Sequence, residues 1–199
     1  MRSDIVPGAR FPDYELVDQT NTPRRLSELQ SRDPMVLVLS RGMFCPKDHQ
    51  QHQELAAFQD KLNPAVSYTK IVTISTDPVY ESNEYRLQVG ARWPFLSDPE
   101  RKVQRDLEIK EYTDPNHDPM IPHTLVLEPG LVVYKIYNGY FFWGRPSNED
   151  LWRDLREVFR KFPDWDITAP GLKENWEEGD RSRHYPYEED PNYPYETNA

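Results

Sequence analysis

"MVLVLSRGMFCPKDHQQHQEL", residues 35–55, is the stretch on which the fold turns. It opens on an unbroken apolar run, Met35 to Leu39, of β-branched and aliphatic residues. The run does not alternate with polar residues, so it suits a strand buried on both faces, as in a parallel sheet. A short polar loop follows. Pro46 then stands where a helix begins, a position at which its missing N–H is no loss and its fixed φ is already helical. Leu55, Phe58 and Leu62 keep the helical period and predict the core-facing side of a helix over 46–62. Between strand and helix stands Cys45, the single cysteine of the chain.

Strand and helix patterns alternate outward from this unit. "YELV" at 14–17 reads as a strand, "DQTNTP" as a turn, and Ser27–Gln30 as a short helix with Ser27 as its N-cap. Residues 67–76 predict a buried strand, 78–89 a helix, "WPFLSDP" a short strand and turn, and 100–109 an amphipathic helix. "HTLVLEPGLVVYKIYNG", 123–139, predicts a hairpin turning at Glu-Pro-Gly. A last helix spans 146–162, with Ser147 and Asp150 as a capping-box pair. Alternating strands and helices argue for an α/β sheet, and the hairpin adds antiparallel strands. The pattern fails at Pro163, so the expected organisation is a domain over 1–163 and a tail over 164–199. From Leu172 onward the tail carries eight acidic and three basic residues, with Tyr-Pro-Tyr at 185–187 and 193–195. Such a segment does not fold alone. Its aromatics predict an extended or partly disordered acidic strap that packs on its own domain or on a protein partner.

Composition narrows the function. Aromatic content of 13% supplies a core that needs no disulfide staple, and one cysteine cannot form an internal disulfide. A net charge of −10 argues against a general nucleic-acid binder. The start, "MRSDIVPGARFPDYEL", lacks the apolar segment of a signal peptide, and no run approaches a membrane span. A cytoplasmic protein with no membrane contact is the expectation.

Cys45 is the candidate nucleophile. Beside a helix N-terminus, free N–H groups and the helix dipole favour a thiolate. Arg41 adds positive charge and donors, while the Asp48 carboxylate opposes them. At about 100° per helical residue, Asp48, His49 and His52 share one broad face with Cys45. His49 is a candidate base or cationic partner, against the plainer reading of a solvated or capping side chain, which fits His52 better still. Without a second cysteine any redox cycle runs through one: Cys45 becomes a sulfenic acid and an outside thiol reduces it.

Several phrases in this order carry a resemblance. "GARFPDYELVDQTNTPRRLSEL", "MVLVLSRGMFCPKDHQQHQEL", "VTISTDP", "FLSDPERKVQRDLEI" and "IPHTLVLEPGLVV" are similar to successive segments of the AhpC/TSA redoxins, the peroxiredoxin family. The resemblance implies a thioredoxin-like sandwich: a central mixed sheet flanked by helices, an N-terminal β-hairpin and then the tail. It implies a thiol oxidoreductase that reduces a peroxide or disulfide through Cys45, recycled by an external thiol, with no cofactor and no resident metal. Arg41 and Arg145 would act with Cys45, Arg145 resembling an arginine that related redoxins carry before their last helix. Gly42, Phe44, Pro46, Asp48, His49, Pro122 and His123 would line the substrate pocket, Pro122 at the place of the thioredoxin cis-proline. Two parts of the family pattern are replaced: Gly42 stands where a hydroxyl is usual, and Asp48 where a subgroup has a second cysteine. Homodimers are an implied assembly. The alternatives are a redox-inactive interaction module of the same fold and, on a likeness to copper-binding redoxins, a copper site from Cys45, His49 and His123.

Overall fold

The computed structural model of the chain describes residues 1–65, 69–139, 143–162 and 177–179, with backbone alone at 60–65. Residues Met1–Lys161 make one compact unit. Its strands are β1 (Glu15–Asp18), β2 (Pro23–Arg25), β3 (Met35–Leu39), β4 (Lys70–Ser75), β5 (Phe95–Ser97), β6 (His123–Glu128) and β7 (Val132–Asn138). Its helices are α1 (Leu26–Gln30), α2 (Pro46–Ala65), α3 (Val79–Gln88), α4 (Lys102–Asp106) and α5 (Asn148–Arg160). Among the described residues the strands form one mixed sheet in the order β2-β1-β5-β4-β3-β6-β7.

The central strand is the one the apolar run predicts. All five residues of β3 are buried, with β4 parallel on one side and β6 antiparallel on the other. Strand β5 continues the parallel set beyond β4, and the hairpin strand β1 closes that edge antiparallel to β5. Residues of alternating direction along β3 therefore enter core on both faces. Met35, Leu37 and Leu39 pack with Phe11, Leu26, Ile74, Leu96, Leu107 and Leu125. Leu55 and Phe58 of α2 are buried as their period requires, whereas Leu62 falls outside the described side chains. Ser147 and Asp150 form the expected capping box on α5.

Local differences have local causes. Helix α1 begins one residue before Ser27, with Arg25 as N-cap, because the Ser27 N–H and hydroxyl are both engaged in donating to the Asp13 carboxylate. The helix expected over 100–109 contracts to α4. Arg101 before it and Glu108 after it sit at φ 58° and 55°, and the Asp98 carboxylate accepts from the N–H groups of Lys102 and Val103 at its start. The described part of the strand expected over 67–76 starts at Lys70, and 66–68 lie outside the described residues. So does most of the tail: in the second unit, Phe162–Ala199, only Phe162 and 177–179 are described. No helix among the described residues is long and apolar enough to cross a membrane.

This topology creates one privileged edge. Parallel β3 and β4 end together, at Leu39 and Ser75, and β6 starts beside them because His123 pairs with Leu39. Loops leaving the carboxyl ends of parallel strands at the middle of such a sheet are the usual place for ligands. Cys45 lies in the loop that leaves β3.

Candidate active site

Cys45 is the N-cap of α2. Its carbonyl accepts the first helical bond from the His49 N–H (3.0 Å), and its own N–H donates to the Gly42 carbonyl (3.1 Å). The residue is free of disulfide and 1% exposed. Its surroundings are cationic rather than purely apolar. Arg41 Nη1 lies 3.5 Å from the sulfur and Arg145 Nη2 lies 3.9 Å from it, both in donor geometry. One arginine comes from the loop before the helix and the other from the loop before α5, so the sheet and two loops converge on this sulfur.

Arg41 is a buried cation held by a fork. Nε donates to Glu111 Oε2 at 2.7 Å and Nη2 to Glu111 Oε1 at 3.1 Å, with Asp114 Oδ2 at 3.4 Å. Burial disfavours the charge, but hydrogen bonds to Cys45 and Glu111 outweigh it and hold the guanidinium above its ordinary range. Its plane also stands over the Phe44 ring, 5.0 Å from the centroid. Phe44 in turn stacks on His117 at 3.7 Å and an interplanar angle of 4°. Phe44 is thus the wedge that ties the cysteine loop to the segment carrying Glu111 and His117.

Asp48 has a role beyond its charge near the sulfur. It is fully buried, and its oxygens are divided. Oδ2 accepts from the Arg41 backbone N–H (2.7 Å) and the Ser40 hydroxyl (3.1 Å). Oδ1 accepts from Arg145 Nε (2.9 Å) and Nη2 (2.5 Å). The carboxylate that seemed a liability beside the sulfur is the anchor that brings Arg145 to it and clips the loop to the helix.

The glycine at 42 has a steric reason. Its φ is +117°, and a Cβ there would lie 2.5 Å from Asp77 Oδ1. The Asp77 carboxyl fills the space a side chain would need, accepting from the Met43 N–H (2.9 Å) and the Ser75 hydroxyl (3.0 Å). Burial pushes Asp77 above the usual carboxylate range.

The three remaining pocket candidates are near the loop in sequence or register but are turned to structural bonds. His49 Nε2 donates to the Met43 carbonyl at 2.7 Å and its ring packs on Tyr85. His123 Nδ1 donates to the Ile121 carbonyl at 2.8 Å, and burial pushes its imidazole down to about 4. Pro122 is not cis: no cis peptide is present among the described residues, and its carbonyl accepts from the Gly139 N–H at 2.8 Å, which seats β6 beside the end of β7. The copper alternative needs Cys45, His49 and His123 together, and among the described residues no three His, Cys, Asp or Glu converge on a metal site.

His52, expected as a solvated or capping side chain, is fully buried beneath the site. Its Nδ1 donates to the Asp48 carbonyl (2.6 Å), with the Tyr85 hydroxyl at 2.9 Å, and its Nε2 faces the Thr73 hydroxyl (3.0 Å). Thr73 also accepts from the Trp93 indole at 3.0 Å. This network, with Glu111 and Asp77, is what sequence reasoning did not find. The available signal was the helical angle itself, which puts His52 about 20° from Cys45 on the face turned to the sheet.

Comparison with known proteins agrees with this architecture. The model of the AhpC/TSA family matches residues 7–136. A protein of Mycobacterium tuberculosis (strain CDC 1551 / Oshkosh) described as a peroxiredoxin is 35% identical over 104 residues, which is 52% of this chain and 66% of that protein. The match therefore spans just under two thirds of that relative's length. The crystal structure of peroxidoxin BcpB from Mycobacterium tuberculosis superposes with a TM-score of 0.63 at 25% identity, covering 78% of this chain and 97% of that one. Enterococcus faecalis AhpC shares the fold, with a TM-score of 0.65 at 14% identity over 82% of this chain and 98% of its own. Sequence and mixed thioredoxin-like sheet together lead to one conclusion: this chain belongs to the AhpC/TSA family.

Proposed function

We propose that the protein is a peroxiredoxin-like thiol peroxidase that works through Cys45 alone. The observation that carries the proposal is the pair of guanidinium donors, Arg41 Nη1 and Arg145 Nη2, on one sulfur at the start of α2. Such donors are worth most to an anionic acceptor, so they serve a thiolate and the charge that leaves it.

In the first step the Cys45 thiolate attacks the outer oxygen of a peroxide. The S–O bond forms, the O–O bond breaks, and the departing alkoxide or hydroxide takes a proton to leave as alcohol or water. Cys45 is left as a sulfenic acid. An external thiolate then attacks that sulfur, forming an S–S bond and releasing the oxygen as water. A second external thiol displaces the Cys45 thiolate from the mixed disulfide; the two external thiols have then given up two electrons and leave as a small disulfide. Arg41 and Arg145 hold the sulfur and the developing oxyanion. Gly42, Phe44, Pro46 and Asp48 shape the loop, while His49, Pro122 and His123 frame it.

The catalytic domain in this reading is 1–163, acting in a reducing compartment such as the cytoplasm, where free thiols are available. The tail over 164–199 is assigned to packing or to partner contact, including a second copy of the chain. Peroxide consumption with a thiol reductant tests the proposal: wild type turns over, and Cys45→Ser does not. Equal rates would retire Cys45. The near-complete burial of Cys45 favours one second reading, an inactive interaction module of the same fold. The same assay decides between them.

A further inference from the structure

A groove of about 290 Å³ opens beside the site on the far side of Arg145. One wall is a single face of α2: Lys47, Gln50, Gln51 and Glu54, spaced three and four apart. The other wall is the 143–146 loop, in which Trp143 is 75% exposed. Arg145 belongs to both places. It lines the groove, and its Nη2 is 3.9 Å from the Cys45 sulfur.

The groove is polar, and its charges are separated by sign. Lys47 and Arg145 stand at the Cys45 end. Lys47 makes no ion pair among the described residues. Glu54 stands two helical turns away, about 10 Å along the axis at 1.5 Å per residue. Its carboxylate is steadied by the Gln50 amide at 3.0 Å. The Gln51 amide donates to Thr124 at 2.8 Å, which fixes the groove floor. Three residues of extended chain span at most about 10 Å. The volume sits at the lower end of small-ligand pockets.

Resting on the proposed peroxidase reading, we infer that this groove is the binding site of the external reductant. The reductant is a small peptidic thiol carrying both a carboxylate and an ammonium group. Its carboxylate lies against Lys47, its ammonium toward Glu54, and its body against Trp143. The thiol is thereby delivered at the Cys45 end. There it attacks the sulfenic sulfur, the S–S bond forms, the S–O bond breaks, and water leaves with the thiol's proton.

Binding is tested apart from turnover. The full-length Cys45→Ser protein is titrated with S-methylglutathione, a peptidic thiol with its sulfur blocked, by calorimetry and by the Trp143 indole N–H resonance. Saturable millimolar binding that moves this resonance is expected. Lys47→Ala and Glu54→Gln should each weaken it about fivefold, the usual worth of a partly exposed charge contact. No saturable binding, or binding indifferent to both substitutions, overturns the inference even if the enzyme consumes peroxide. In turnover assays Lys47→Ala should raise the ratio of KM for glutathione to KM for neutral dithiothreitol. An unchanged ratio overturns it too. Should Cys45 prove unreactive to peroxide, the peroxidase reading fails while the titration still decides whether the groove binds the peptide.

Discussion

Asp48 and Arg145, ninety-seven residues apart in sequence, form a buried two-point ion pair directly behind the Cys45 sulfur. The pair does two jobs at once, since the other Asp48 oxygen receives the Arg41 N–H. Removing the Asp48 carboxylate leaves the Arg145 charge unpaired at the groove wall and the Arg41 N–H without its acceptor, which costs about 3 kcal/mol, the low end for breaking a buried pair. Asp48→Ala should therefore lower unfolding free energy by about that amount, measured by urea denaturation. Asp48→Asn keeps an oxygen for the Arg41 N–H and should lose clearly less. Equal losses for the two would mean that the oxygen kept for the Arg41 N–H contributes nothing and that the lost charge carries the whole effect.

Gly42 is fixed by what lies against it. A residue with a side chain at φ +117° is strained, and its Cβ would meet Asp77 Oδ1 at 2.5 Å. Gly8, at φ +88°, has nothing within 4 Å of the same construction. Gly8→Ala should then show backbone strain alone, about 1–3 kcal/mol. Gly42→Ala adds the clash and the loss of the Asp77 bond to the Met43 N–H. The prediction is a larger loss at 42 than at 8, by thermal or chemical denaturation. It also implies that the family's hydroxyl cannot be restored here: Gly42→Thr should fold less stably and turn over more slowly than wild type, not faster.

The parts legible in sequence were those governed by period and local chemistry. The apolar run of β3, the proline start of α2, the Ser147 cap and the Glu-Pro-Gly hairpin each follow from residues close in the chain. What was not legible depends on long-range partners. That Asp48 anchors a second guanidinium beside the sulfur could be read only by knowing that Arg145 arrives from the loop before α5. Glu111 and Asp77 sit in irregular segments with no period to announce them, yet they hold Arg41 and the Met43 N–H. His52 was misjudged for another reason. Histidine is amphipathic enough to be read as solvated, and only Tyr85, Thr73 and the carbonyl of Asp48 show why it is buried.

Arg145 meets the Cys45 sulfur with an oriented donor as well as a charge. Its planar fork reaches Asp48 with Nε and Nη2 while Nη2 faces Cys45. Lysine offers one compact ammonium and cannot hold both. Arg145→Lys should keep most of the stability but lower the second-order rate of peroxide with reduced enzyme. A fall of about ten- to a hundredfold is expected for a lost oriented donor. Stopped-flow oxidation of Cys45 measures it without the reductant step. A rate within a factor of about two of wild type would confine Arg145 to a structural role.

His52 gives the fold a specific acid sensitivity. Burial pushes its imidazole from 6.5 down to about 4, so the folded protein holds it neutral. Below its ordinary value the unfolded chain takes up a proton that the folded chain refuses. Its contribution is therefore fully present above pH 6.5 and is lost as pH falls toward 4, by about 3 kcal/mol at one proton and 1.36 kcal/mol per unit. His123, also pushed down to about 4 by burial, adds in the same direction. Asp77 and Asp98 act against them near the acid end, because burial raises both and the folded state then binds the extra proton. The total slope is thus a balance, and His52 is isolated by difference. His52→Gln cannot titrate, so its stability deficit against wild type should be largest near neutral pH and shrink as pH falls from 6.5 to 4. Urea denaturation at a series of pH values measures the gap. A gap constant across that range would mean that His52 keeps its ordinary protonation in the folded state and that the network beneath Cys45 is more open to water than its bonds to Asp48, Tyr85 and Thr73 imply.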